Sequence, residues 1–235
     1  MNEVVARLAS THLQNERLIW VRPPRDRVSA QHVSIFLDGE LYRDRVEANS
    51  VIDSLSGDIA DSWFVFVSME SAEARWLECP CYQPFAKFIA EELLPWLRTE
   101  HQELELVRQR TLIGMSYTGL AAAFVVREFP GLFQRVISQS GSFWWNDCWL
   151  SEQYRLSARV PTDFYLDVGT AELAENVLHR DGVLQVVSQI EGVHRFRDVL
   201  HLKGNAVSYV EFDGGHDFSA WRETLPGALR WALPN

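Results

Sequence analysis

Apolar positions along the chain follow two alternating patterns. Short runs at Arg17–Val21, Val33–Leu37, Trp63–Val67, Thr111–Gly114, Arg135–Ser138, Phe164–Val168 and Val207–Phe212 are rich in β-branched and aromatic residues, and several are apolar at consecutive positions. A strand that is apolar on both faces needs cover on both, as in a parallel sheet held between helices. Longer stretches separate these runs. Phe85, Phe88, Ile89, Leu93, Trp96 and Leu97 recur at three-to-four spacing and mark a helix face, with Pro95 expected to bend or end that helix. Trp221, Leu225 and Leu229 mark another near the carboxyl end. No repeat, low-complexity tract or linker interrupts the alternation. It predicts an α/β fold with a mainly parallel central sheet flanked by helices on both faces, as a single domain over residues 1–235.

Composition narrows the partners. The 235 residues are 47% hydrophobic and 23% charged, enough to bury a core without disulfides or metal. Asp and Glu number 32 against 22 Lys and Arg, a net charge of −10. Neither nucleic acid nor an anionic membrane suits that balance, because both call for a basic face. No apolar run is long enough to span a bilayer. The three cysteines, Cys79, Cys81 and Cys148, make no disulfide framework. The first residues carry Glu3 and neither the basic nor the apolar region of a secretory signal, so the cytoplasm is the expected location.

The chemistry concentrates where apolar runs end. After Thr111–Gly114 the chain reads Gly114-Met-Ser116-Tyr-Thr118-Gly119 and then a run of small residues, Ala121 to Ala123. A strand meeting Gly-x-Ser and then a small-residue helix is the setting of a nucleophile elbow, in which a sharp turn lifts the serine above the sheet. The full Gly-x-Ser-x-Gly pattern has glycine where this chain has Thr118, and a stiff β-branched residue there predicts a wider or more strained turn. Hydrolases of this design present an acid and then a histidine downstream. Glu172 follows the Phe164–Val168 run and a Gly-Thr turn; Asp167, inside the run, is its rival, and Glu175 reads as a solvated residue. His216 follows Val207–Phe212 and Gly214-Gly215, a setting none of the other histidines shares. Ser116 is thus the candidate nucleophile, His216 its base and Glu172 the residue that orients the imidazole. An oxyanion hole needs two backbone N–H donors. Tyr117 is the first candidate, and Glu40, after Asp38-Gly39 at the end of Val33–Leu37, is the second.

These segments resemble the esterase branch of the α/β-hydrolase superfamily, most closely the catalytic domain of enterochelin (enterobactin) esterases. The likeness rests on Phe36-Leu-Asp-Gly-Glu40, Glu91-Glu-Leu-Leu-Pro-Trp-Leu97, Gly114–Gly119, Ser138-Gln-Ser-Gly-Ser-Phe-Trp-Trp145, Tyr165–Glu172 and Asp213-Gly-Gly-His-Asp217 with Trp221-Arg222. It starts near residue 16, without the amino-terminal domain of the ferric-enterobactin esterases. The resemblance implies a cofactor-free serine esterase working through an acyl-enzyme, with a small-molecule ester, leading among them a siderophore trilactone, as substrate. Trp144 and Trp145, after the strand at 135–138, are then candidates either to stack on an aromatic acyl group or to pack in the core or a lid. Arg75, in Arg-x-x-Glu ending at Glu78, matches a recurrent family position as a substrate contact or a structural ion pair. Arg43 and Arg45, beside the oxyanion loop, read as solvated surface arginines, with contact to an anionic ligand as the alternative. The alternatives are a carbohydrate acyl (acetyl or feruloyl) esterase, an acyltransferase, and a hydrolase-fold binding protein without catalysis.

Overall fold

A computed structural model describes residues 3–235. Each apolar run becomes a strand: β2 (Asn15–Arg22), β3 (His32–Leu37), β4 (Ser62–Val67), β5 (Gln109–Met115), β6 (Arg135–Gln139), β7 (Asp163–Gly169) and β10 (Val207–Phe212). Together with β1 (Val4–Ser10) they form one eight-stranded sheet in the order β1-β2-β4-β3-β5-β6-β7-β10. β1 and β2 are antiparallel additions at one edge, and β4 through β10 run parallel. Every residue of β4 is buried, as its two-faced apolar run requires.

Helices cover both faces. One face packs against α1 (Gly39–Asp44), α2 (Ala48–Ser54) and α9 (Phe218–Ala232), which bury Tyr42, Ile52, Trp221, Leu225 and Leu229 over Phe36, Phe66 and Ile137. The other packs against α6 (Tyr117–Glu128), α8 (Gln189–Leu202) and the long helical segment at 83–100, around Val65, Leu112, Val136 and Leu166. That segment passes through Pro95 without ending. Between α4 (Gln83–Lys87) and α5 (Leu94–Glu100) lies a π-helical stretch, Phe88–Leu93, in which the Leu94 N–H reaches back five residues to the Ile89 carbonyl. The wider turn shifts the carbonyl register just before the proline ring would collide with it, so the helix continues.

Two elements carry too little periodicity to stand out in the sequence. β1 pairs along β2 at the sheet edge, and a hairpin of β8 (Val177–Arg180) and β9 (Val183–Gln185) leaves the sheet after Glu172. Leu178 and Leu184 of that hairpin are exposed, so its pattern is not that of a half-buried strand. No helix among the described residues is long and apolar enough to cross a membrane.

The strand order fixes where chemistry belongs. The chain adds β4 on one side of β3 and then returns to place β5 on the other, so the connections leaving β3 and β5 diverge. A crevice opens at the carboxyl ends of such a strand pair, where ligands bind in open α/β sheets.

Candidate active site

Ser116 stands at that crevice, between β5 and α6, with φ 53° and ψ −120°. A positive φ is costly for serine and is held here by its surroundings: its N–H donates to the Gln139 carbonyl at 2.8 Å, and its carbonyl accepts the Ser142 N–H at 3.0 Å. Gly114 makes the turn possible. A Cβ at that position would lie 2.2 Å from the Thr118 carbonyl oxygen, so no other residue fits. The strain falls on Ser116 and the close approach on Gly114. Thr118 itself lies within α6, fully buried.

The three residues picked out by strand order meet. Ser116 Oγ lies 3.0 Å from His216 Nε2, and His216 Nδ1 lies 2.6 Å from Glu172 Oε2. Glu172 is almost fully buried, and its second oxygen, Oε1, accepts the Ser140 hydroxyl at 2.6 Å and the Gly169 N–H at 2.7 Å. Ser140 Oγ in turn accepts the Trp221 indole N–H at 3.0 Å, and the Trp221 ring meets the His216 imidazole edge-on at 4.9 Å. Glu172, rather than Asp167, reaches the imidazole because it lies beyond the strand end. Asp167 points inward from β7, wholly buried, and takes the Ser140 N–H at 3.1 Å. Glu175 is exposed.

Burial without a full set of partners pushes the Asp167 carboxyl up to about 7. The folded protein therefore holds a proton there that the unfolded chain releases near pH 4, and stability drains away as pH rises from about 4 to about 7. Asp167→Asn, neutral throughout, is expected to gain melting temperature relative to wild type across that window. Parallel pH curves for the two proteins in a thermal scan would refute this.

The candidate oxyanion donors belong to the first turns of α6 and α1. Tyr117 is the first residue of α6, where a backbone N–H has no partner within the helix. Glu40 is the second residue of α1; its carboxylate accepts the Met69 N–H at 3.1 Å, and it is the neighbouring Leu41 that lines the crevice.

A cavity of about 560 Å³ sits above Ser116, and its wall includes an aromatic cluster: Trp76, Tyr117, Trp144, His179, Phe218 and Trp221. Trp144 forms part of it, with its indole N–H donating to Gln189 Oε1 at 2.6 Å and its ring stacked against His179 at 4.9 Å. Trp145 does not. It meets Trp149 edge-on at 6.2 Å, and the chain directly after it, Asn146 to Cys148, is left-handed rather than α-helical. Arg75 lines the cavity too, but its Nε is bound to both carboxylate oxygens of Asp38, at 2.9 and 2.8 Å. Glu78, its motif partner, pairs instead with the buried Arg17. Arg43 is engaged by Glu3 and lies over Trp20, whereas Arg45 lies over Phe218 at the cavity wall, 4.7 Å from the ring, and forms no ion pair among the described residues. Trp76, His179 and Ser140 escaped sequence reasoning. Ser140 lies inside the Ser138–Trp145 motif and was readable as the residue ending β6, but Trp76 and His179 come from a short helix and from the hairpin, with no local signal.

Comparisons with known proteins agree with this architecture. The chain is 25% identical to the iron(III) enterobactin esterase of Dickeya dadantii (strain 3937), over 95% of this chain and 53% of that protein. The crystal structure of the enterobactin esterase from Shigella flexneri in the presence of enterobactin has a TM-score of 0.84 at 23% identity, covering 99% of this chain and 58% of that one. A ferulic acid esterase structure matches with a TM-score of 0.75 at 15% identity, over 99% of this chain and 98% of its own. The chain spans about half the length of the curated relatives it matches. An α/β-hydrolase fold and a profile match over residues 10–232 agree: the chain belongs to the putative esterase family.

Proposed function

We propose that this chain, acting as one catalytic domain, is a serine esterase that hydrolyses a small-molecule carboxylic ester through an acyl-enzyme. The observation that carries the reading is the continuous hydrogen-bonded array from Ser116 through His216 to Glu172 at the floor of an open cavity. His216 Nε2 takes the hydroxyl proton as Ser116 Oγ attacks the ester carbonyl, while Glu172 holds the proton on Nδ1 and stabilises the imidazolium. The N–H groups of Tyr117 and Glu40 receive the negative charge that develops on the carbonyl oxygen. His216 then protonates the departing alcohol, and water repeats the sequence to release the acid and regenerate Ser116.

The aromatic wall favours a substrate with an aryl group near the scissile ester, and the half-buried Trp76 offers it a face, while Trp144 is buried and stacked against His179. An enterobactin-like siderophore trilactone, the substrate type named for the relatives, is the leading candidate. Its ferric complex is anionic, and this acidic chain has to attract it locally. Arg45 beside Phe218 puts a cation without an ion-pair partner among the described residues at the cavity wall. Arg180, over Trp76 at 5.7 Å from the ring, is already paired with Glu73 at 2.8 Å. The same wall suits a feruloyl ester, the second reading, better than an acetyl ester. We place the enzyme in the cytoplasm, where a reducing medium suits its three free thiols.

Intact-protein mass after exposure to a small fluorophosphonate tests the reading. Wild type is expected to gain one adduct that Ser116→Ala lacks, and to turn over trilactone and aryl-acyl esters ahead of acetyl esters. A folded wild-type protein that takes no adduct would favour the binding-protein alternative.

A further inference from the structure

The departure from the elbow motif, Thr118, has a role that glycine has no means of filling. Its side chain is fully buried with three polar partners in reach: Oγ accepts the Met115 N–H at 2.9 Å and lies 3.0 Å from Asp38 Oδ2 and 2.8 Å from the Met115 carbonyl. A hydroxyl has one proton, and the carboxylate is the stronger acceptor, so the bond goes to Asp38. Asp38 is itself fully buried, sits at φ 56° between β3 and α1, and is clamped by Arg75 Nε. Arg75 completes the circuit by reaching back to the Met115 carbonyl, 3.4 Å from Nη2.

The position of this circuit matters more than its strength. The parallel ladder between β3 and β5 ends at Phe36 and Ile113. Beyond it the two strands continue into the loops that carry the candidate oxyanion donors. Asp38 lies two residues before Glu40, and Thr118 lies one residue after Tyr117. The Thr118–Asp38 bond joins the loops just where the backbone ladder stops. We infer that Thr118, with Asp38 and Arg75, is a positioning residue that fixes the separation of the two oxyanion-binding N–H groups. The inference rests on the esterase reading above. Since the donors act on charge that appears only in the transition state, loosening the joint is expected to lower kcat and spare KM.

Three variants test it: Thr118→Val, which keeps the shape and loses the hydroxyl; Thr118→Ser, which keeps the hydroxyl; and Thr118→Gly, which restores the usual motif. Each is assayed on an aryl ester, with rates normalised to folded protein, and titrated with an aryl boronic acid as a tetrahedral mimic. Thr118→Val is expected to lose about 10- to 100-fold in kcat, with KM within about twofold and boronate affinity falling in step, the scale on which a misplaced donor costs rate. Thr118→Ser is expected to stay near wild type, and Thr118→Gly to fall with Val. A destabilised but fully active Thr118→Val, or a Thr118→Ser as slow as Val, would reduce Thr118 to a packing residue. Wild type lacking Ser116-dependent turnover is a separate result, which removes the esterase reading itself.

Discussion

Ser116→Ala and His216→Ala are each expected to lose about 10⁴-fold or more in kcat on an aryl ester, and the double variant is expected to be no slower than either single one. The two side chains act as one unit through the 3.0 Å contact between Oγ and Nε2. Once the nucleophile is gone, the base has no proton to take; once the base is gone, the hydroxyl stays a poor nucleophile. Their losses therefore overlap rather than multiply. Both variants are expected to fold. Ser116 keeps its backbone bonds to Gln139 and Ser142 as alanine, and the His216 side chain is 39% exposed, so little packing is lost. Binding of a non-hydrolysable aryl ester analogue should survive in both, since the aromatic wall is untouched. Steady-state rates with calorimetric binding on the same preparations check the pair. A double variant much slower than either single one would mean that Ser116 and His216 contribute independently, which the geometry forbids.

How much of this was legible beforehand follows from how each residue reaches the site. Ser116, Glu172 and His216 were found because each sits just past the end of an apolar run, and β5, β7 and β10 all deliver their carboxyl ends to the same edge of a parallel sheet. Strand order in the chain therefore stood in for distance in space. The cavity wall had no such proxy. Trp76 and His179 belong to a short helix and a largely exposed hairpin whose placement depends on tertiary packing, and neither has periodicity to betray it. Trp144 and Trp145 look equivalent as a dipeptide, yet only Trp144 lines the cavity, ahead of a left-handed stretch at Asn146 to Cys148 that no apolar pattern announces. Pro95 reads as a bend or an end of its helix because the compensating π-helical turn before it leaves no mark in an apolar pattern. Thr118 read as a defect in a motif because its partner, Asp38, is eighty positions away in the chain.

Glu172→Gln is expected to lose about 10³- to 10⁴-fold in kcat, although the change is isosteric and leaves Ser116 and His216 in place. The reason lies in the two oxygens of Glu172. Oε1 accepts from the Ser140 hydroxyl and from the Gly169 N–H, and Oε2 accepts from His216 Nδ1. The Ser140 hydroxyl can rotate, but the Gly169 N–H is fixed by the backbone and can only donate. Glutamine must therefore place its carbonyl oxygen toward Gly169 and its amide N–H₂ toward His216. An N–H₂ facing Nδ1 requires Nδ1 to accept, which moves the imidazole proton to Nε2. His216 would then present a donor to Ser116 and could not take its proton. The fold should be nearly undisturbed, because the amide still fills the site and still accepts at Gly169. Nitrogen-15 spectra of His216 should show the proton on Nδ1 in wild type and on Nε2 in Glu172→Gln, alongside the fall in kcat. If Glu172→Gln instead kept activity within about tenfold of wild type, Ser116 and His216 would be working as a dyad, and the buried carboxylate would be a structural anchor for Ser140 and Gly169.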